Sequence, residues 1–354
     1  MPQLTPYRLT FPRGLHIGRG GVESVEDSLE YIPSDTLFAA LLDTWRHLGR
    51  EVGDLLPENG EPAFRVTSAF PFAGEVRFYP KPVDLYALLS PGRIAGLGAG
   101  KNIKKIRYLS EALLRRASGG AFLDDELAQD SDGEWACKTS LQGGALWLTE
   151  AEAKALPGGM KDLPGSALPL QKIYVSQTAP RVTVDRVSSA SNLFQSERVL
   201  FNEGCGLWFG VVGQIDNLSY LLTALGESGL GGERTTGYGG FTFHNQDKPL
   251  DLPDPQGRAC LLSRWHPAPE ETALLQDEDS AYRLEAVGGW LRTPDPAAAQ
   301  RRKRVWMVAE GSLIAGNPQG DAPNVKPAYN ADTGETIPHP VYRPGFAVAI
   351  DWKR

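Results

Sequence analysis

Tyr7, Leu9 and Phe11 alternate with Arg8 and Thr10, the period-two pattern of a half-buried strand, and Pro12-Arg13-Gly14 ends it. A loop carrying Gly14, Gly18, Gly20 and Gly21 leads into a predicted helix. Ser34 suits its N-cap, and Asp35 sits in the first turn, where the helix dipole favours a negative charge. Leu37, Leu41, Trp45 and Leu48 recur at steps of three and four, so one face of that helix is buried, and Gly49 suits the position just past its end. Residues 65–205 are less regular and read as a long insertion of short extended pieces. Within it, Val76, Phe78 and Tyr79 run into Pro80 and Pro82, which confines that piece to a sheet edge or an extended loop. A short helix is predicted over 111–116 behind Ser110, and the acidic, Gly-rich stretch 118–134 reads as a mobile loop. Residues 181–187 alternate as a strand, and the runs 192–195 and 198–201 suit a projecting hairpin or hooked loop.

The pattern becomes regular again at Leu207–Val212, a strongly apolar strand. Leu218, Leu221, Leu222 and Leu225 form the stripe of a second helix ending at Gly226, and Phe241-Thr242-Phe243 forms a further strand. Strand–helix–insertion–strand–helix–strand is the signature of a ferredoxin-like βαββαβ unit with an elaborated middle. Residues 245–257 are rich in Pro and Asp and mark a linker. Beyond it, short strands are predicted at 260–262, 282–287, 305–308 and 346–350, around one weak helix near 268–276. The expectation is therefore an α+β protein. Its domains are an N-terminal one over 1–246 with a long insertion after the first helix, a linker over 247–257, and a smaller one over 258–354.

Composition narrows the setting. The 354 residues are 41% hydrophobic, enough for a sizeable core and for two domains. No run approaches the ~20 apolar residues of a membrane span, and the N-terminus lacks the basic start and apolar core of a signal peptide. The three cysteines, Cys137, Cys205 and Cys260, form no CxxC pair, which argues against a disulfide framework or a zinc site and for a reduced, cytoplasmic chain. The net charge of −7 argues against general affinity for nucleic acid, since cationic surface drives phosphate binding. Yet basic residues gather at Lys101, Lys104, Lys105 and Arg107, at Arg115 and Arg116, and at 301–304, so a local basic groove remains open.

The strongest chemical signal is the run Gly229–Phe241, in which six glycines (229, 231, 232, 237, 239 and 240) permit positive φ and close approach to another molecule. Exposed N–H groups in such a loop can form an anion-binding nest. Arg234, Thr235 and Thr236 add phosphate donors, and Tyr238 can stack on a base or sugar. The run lacks Gly-Lys-Ser/Thr and precedes a strand, so it is neither a Walker loop nor a dinucleotide fingerprint. A tightly packed helix-to-strand connector would show the same composition.

His16-Ile17-Gly18-Arg19 follows the first strand, and His16 is a candidate phosphate ligand or general base, or a structural histidine. The mixture of cations with apolar residues over 101–108 suits a strip along a phosphate backbone, or a solvated face. Alternation over 181–186 makes the valines core and leaves Arg181 and Arg186 as candidate phosphate ligands. Glu23, Glu26, Asp27 and Glu30 form a carboxylate cluster that could hold Mg²⁺, or an ordinary polar loop.

Taken in order, these residues resemble the RAMP superfamily of CRISPR effector proteins. The matching features are the Gly turn His16-Ile17-Gly18, the helix start Ser34-Asp35-Thr36-Leu37-Phe38, and the Gly-rich loop from Gly231 to Phe241. Within the superfamily the chain is most similar to the fourth subunit of the type III-A (Csm) complex. Arg181–Arg186 and His339-Pro340-Val341-Tyr342-Arg343-Pro344-Gly345 carry that likeness, which extends over almost the whole chain. The resemblance implies two ferredoxin-like (RRM-like) βαββαβ domains and a non-catalytic antiviral-defence subunit without a cofactor. Such a subunit binds the 5′ handle of crRNA and docks the large palm-domain signalling and DNase subunit. Its other neighbour is the backbone RAMP subunit, and it meets target RNA indirectly, through a thumb around 186–201. The implied RNA-facing residues are His16, Gly18, Arg19, Arg181, Arg186, Gly231, Gly232, Arg234, Thr235, Thr236, Gly237, Tyr238 and Gly239, beside the cationic strip of Lys101, Lys104, Lys105 and Arg107. The second domain is expected to serve mainly as a docking surface.

Two features fit poorly: the acidic net charge, and Glu233 inside the loop meant for phosphate. The alternatives are a RAMP endoribonuclease that processes crRNA with His16 as base, a metal-dependent nuclease using Glu26 or Asp27, and a protein-only scaffold.

Overall fold

The computed structural model describes residues 3–18, 27–57, 61–98, 100–130, 132–184, 191–245, 248–291, 300–327 and 339–353. It is a mixed α+β protein built on one large antiparallel sheet with smaller sheets around it.

The first strand, Thr5–Thr10, lies between Thr242–Asn245 and the long strand Cys205–Gly213, antiparallel to both. On its far side Cys205–Gly213 pairs with Phe64–Val66 along one stretch and with Phe70–Ala73 along another. Taken with the helices Ser34–His47 and Leu218–Ser228, this strand order is that of an antiparallel βαββαβ unit whose second and third strands are separated by the insertion. Seven consecutive residues, Cys205–Val211, are buried, because this strand has cover on both faces. That explains why it reads as a continuous apolar run and not as an alternation. One face carries Phe209 and Val211 against Leu37, Leu41, Trp45, Leu221 and Leu225 of the two helices. The opposite face carries Trp208, fully buried among Phe70, Phe72 and Tyr79 of the insertion.

The insertion extends the sheet. Val76–Pro80 is an interior strand, paired with Phe70–Ala73 on one side and Tyr108–Ser110 on the other, not the edge piece that its prolines suggest. Pro80 stands at the strand's last position, where its missing N–H ends the pairing. The acidic stretch after residue 118 is likewise not a mere loop. Leu127–Gln129 pairs with Trp135–Cys137, and Arg116 holds Asp125 and Glu126 in ion pairs. Tyr174–Val184 and Ser191–Phe201 pair along eleven positions as a ribbon, so 192–195 and 198–201 lie on one strand and not on two arms of the expected hairpin, and Val199 also bridges to Leu15. The ribbon's exposed Val182 and Leu193 make a partly apolar outer surface.

The C-terminal half contains a three-stranded sheet in which Arg258–Leu261 lies between Leu313–Ala315 and Ala349–Asp351. Beside it runs the hairpin Leu284–Val287 with Val305–Val308, continued by a bridge between Trp290 and Arg301. The predicted helix near 268–276 is a 3-10 segment, Pro269–Gln276, and no α-helix occurs among the described residues of 258–353. A second complete βαββαβ unit is therefore not visible there. Nor does the Pro/Asp-rich stretch hang free: Leu250 and Leu252 are buried, and the Leu250 N–H donates to the Leu4 carbonyl at 2.8 Å. Cys260, Leu262, Ile350 and Trp352 share one core with Phe78 and Tyr79, so the two halves meet through a continuous apolar interior.

Polar groups also cross this seam. Ser34 does not cap its own helix, which begins after Pro33; its hydroxyl accepts from the Arg264 N–H at 2.9 Å. Asp35, fully buried, pairs with Arg264 at 3.3 Å and with Arg343. Arg264 also reaches Glu285 at 2.6 Å, and Glu310 accepts from the Ser68 hydroxyl at 2.5 Å. Burial pushes the Asp35 carboxyl upward, but Arg343 and Arg264 outweigh it and hold the group below the ordinary carboxylate value. Burial wins at Glu310, whose carboxyl is raised despite Arg264.

Candidate RNA interface

The residue pattern that singles out the Gly-rich loop also explains how it is held. Leu230 donates to the Gly239 carbonyl, and Gly239 donates to the Gly14 carbonyl, each at 2.9 Å. Gly232 donates to the His16 carbonyl at 2.9 Å, so the loop is pinned on the turn that follows the first strand. Two of the glycines are required by contact. Gly231, at φ +92°, would place a Cβ 2.2 Å from the His16 carbonyl oxygen; Gly239, at φ +75°, would place one 1.9 Å from the Leu230 carbonyl oxygen. His16 itself is buried, and its Nδ1–H donates to the Glu197 carbonyl at 2.6 Å.

This turn and loop form one wall of a groove of about 1070 Å³. His16, Gly18, Gly231, Gly232, Arg234 and Thr235 line it, together with His47 from the first helix. The facing wall comes from the C-terminal half: Trp290, Arg301, Arg302, Arg304 and Arg343. The lining thus holds five arginines (234, 301, 302, 304 and 343) against two acids, Asp43 and Glu233. A chain of net charge −7 accordingly carries a locally cationic groove, which resolves the conflict between its acidic balance and its phosphate-binding motifs. Glu233 does stand in the lining, as the left-handed residue (φ +55°) that opens the 3-10 turn Arg234–Thr236.

Known proteins bear on the same region. Residues 255–352, which include the arginine-bearing wall, match the CRISPR Csm4 C-terminal domain family. The Csm4 proteins of Thermococcus onnurineus and Mycobacterium tuberculosis are 26% and 27% identical to this chain. The first match covers 81% of this chain and 83% of the relative; the second covers 95% and 93%. Over most of its length the chain is thus similar to Csm4 proteins, and its C-terminal part matches their C-terminal domain. In three dimensions it superposes on a chain of a Csm3–Csm4 subcomplex from a type III-A interference complex. The TM-score is 0.60 at 15% identity, with 99% of this chain and all of that one covered. A Csm1–Csm4 cassette bound to AMPPNP gives 0.53 at 17% identity, over 99% and 98% of the two chains. These likenesses bear on the fold.

Several expected contacts are arranged differently. Tyr238 is 5% exposed and offers no free stacking face. The guanidinium carbons of Arg181 and Arg198 each lie 5.2 Å from its ring centre, and Arg181 donates to its hydroxyl. Arg181 is thus used to dock the hairpin ribbon on the Gly-rich loop. Thr236 donates to the Glu233 carbonyl at 2.7 Å, and Gly237 lies against Arg13, so both serve the turn. Lys101, Lys104 and Lys105 sit on a short helix, Lys101–Lys105, outside the groove. Lys104 and Arg107 instead border a second cleft of about 440 Å³, where Arg107 is paired with the buried Glu30. Arg19, Arg186, Glu23 and Glu26 lie outside the described residues. Among the described residues, no group of three or more His, Cys, Asp or Glu side chains is placed to hold a metal ion.

The residues that sequence reasoning did not assign are Trp290 and the arginines 301, 302 and 304. Their basic run was legible, but nothing local indicates that it faces a loop sixty to seventy residues earlier and a turn near the N-terminus.

Proposed function

We propose that this chain is a structural, non-catalytic RNA-binding subunit of a type III-A CRISPR (Csm) effector complex, and that its groove anchors the 5′ handle of crRNA. The observation that carries the proposal is the groove's make-up. A glycine-built loop carrying Arg234 and pinned on the His16–Gly18 turn faces four further arginines, on a chain whose overall charge is negative. Cations concentrated in one cleft draw a phosphate backbone there and leave the remaining surface for protein partners.

The partners on this reading are the crRNA handle, the large palm-domain subunit and the backbone RAMP subunit, with target RNA met indirectly through the ribbon 174–201. Support for the protein partners comes from relatives of the same fold that were solved as a Csm1–Csm4 cassette and a Csm3–Csm4 subcomplex. The ferredoxin-like description is supported for the first unit by its strand order. The C-terminal half, expected to be chiefly a docking surface, here also contributes to RNA binding.

The test is binding of the purified chain to a crRNA 5′-handle oligonucleotide across a salt series, with scrambled RNA as control. Handle-selective affinity that falls as salt rises, without cleavage, is the expected result. Salt-independent or absent binding overturns the reading in favour of a scaffold. Cleavage lost in His16→Ala overturns it in favour of an endoribonuclease.

A further inference from the structure

The C-terminal wall of the groove contains an arrangement that the handle-binding motifs do not explain. Arg302 follows the groove-lining end of the hairpin, and its backbone N–H donates to the Gly289 carbonyl at 2.9 Å. Its guanidinium lies over Gly289: a Cβ at that position, φ +129°, would stand 2.9 Å from Nη2. The Nε of Arg302 is buried with no hydrogen-bond partner, and among the described residues Asp35 acts on its charge only from beyond ion-pair contact. Burial, and next the charge of Arg343, depress its pKa to about 10, far below the usual arginine value. Arg343 is itself 7% exposed; Nη2 holds Asp35, while its Nε is likewise buried and unpartnered. Two guanidiniums thus line the groove together, only one of them, Arg343, in contact with a carboxylate. A cation withdrawn from water without a carboxylate in contact is a place where a bound phosphate would be favoured.

Beside them stands an exposed aromatic. Trp290 is 54% exposed although it lines the groove, and the Arg301 guanidinium lies 4.8 Å from its ring centre. A half-exposed indole that lines a groove beside a cation suits stacking on a nucleobase.

We propose that the hairpin bearing Trp290 and Arg302 is a subsite for one unstacked nucleotide of single-stranded RNA. Its phosphate is held by Arg302 and Arg343, and its base stacks on Trp290. The proposal rests on the reading that the groove takes RNA, and adds that the C-terminal half grips a particular nucleotide there.

The experiment uses the full chain and a fluorescent handle oligonucleotide, with a set of abasic substitutions moved along it, read by anisotropy over a salt series. Trp290→Ala is expected to lower affinity by roughly tenfold, the usual worth of one base–aromatic stack. At one position only, an abasic site should abolish that loss. Arg302→Ala should lower affinity about tenfold or more and flatten the log K against log salt slope by ~0.7, the share of one phosphate on a single strand. Arg302→Lys, which keeps the charge without the fork, should restore the slope but only part of the affinity. If wild type binds the handle with a normal salt slope while both alanine variants stay within about twofold of it and keep that slope, the subsite is wrong and the handle reading stands. If wild type shows no salt-dependent binding, both fall.

Discussion

Arg264 and Arg302 both belong to the C-terminal half, and both are substantially withdrawn from water, yet their surroundings are opposite. Arg264 sits at the seam between the halves, where Asp35, Glu285, Glu310 and the Tyr31 hydroxyl surround it. Burial lowers its pKa, but those groups outweigh burial and raise it well above the usual value. Arg302 has only the more distant charge of Asp35 in its favour, and its pKa falls to about 10 under burial and the nearby Arg343. Arg343 joins the two regions, since one carboxylate, Asp35, contacts both Arg264 and Arg343 and reaches Arg302 only at longer range. Where acids match the arginines, the charges fix one arrangement of the halves. Where they do not, the same chemistry is poised for an external anion. The seam and the groove are thus complementary uses of one basic stretch, divided by where the carboxylates fall.

The sharpest way to break this comparison is to remove the shared acid. Asp35→Ala leaves two buried arginines short of a counter-charge and should cost ~3–5 kcal/mol of stability, read as a fall in the urea midpoint. Arg302→Ala, by contrast, should leave that midpoint unchanged or raise it, since it deletes an unpaired buried cation. A large stability loss in Arg302→Ala would mean that the two arginines are alike after all.

Gly239→Ala tests whether the opposite wall depends on backbone approach. With φ at +75° and a carbonyl 1.9 Å from the new Cβ, the loop must shift, at a cost of ~1–3 kcal/mol. Handle affinity should fall with it, because the loop would lose its register on Gly14. Retained affinity would transfer the whole grip to the arginine wall.

Acid should erode the seam first. The folded-state pKa of Asp35 is depressed, so its contribution is complete above the unfolded carboxylate value and is lost as pH falls through the folded one. Glu310 is raised, so its contribution runs the other way: present at low pH, lost as pH rises through its folded value. The stability gap between wild type and Asp35→Asn should therefore narrow as pH is lowered. A gap that stays constant into the acid range would show that Asp35 is not held by the arginines. The smallest effect is expected at Lys101→Ala, which lies on an exposed helix outside the groove: stability within ~0.5 kcal/mol and handle affinity close to wild type.

Much of this was legible along the chain. The alternation at Tyr7–Phe11, the stripes of the two helices and the apolar run after Cys205 each predicted their element, because side-chain periodicity is set by local backbone geometry. The Gly-rich loop announced itself by composition, as positive-φ positions favour one residue type strongly. Tyr238 was misjudged for a reason that is also physical. An aromatic among glycines has the same local signature whether it faces solvent or is sandwiched between Arg181 and Arg198, which arrive from a hairpin forty to fifty-seven residues away. Val76–Pro80 was misjudged likewise: its neighbour Tyr108–Ser110 supplies the pairing, and no local pattern foretells a partner across an insertion.

By itself, then, the sequence determined the elements, the glycine-built loop and the presence of basic runs, because each depends on residues close along the chain. Only the tertiary structure decided which basic run faces that loop and which arginines are matched by acids. Coulombic pairing and desolvation depend on distance in space and on burial. Asp35 lies 229 positions from Arg264, so only the fold brings them together and leaves Arg302 outside their ion pair.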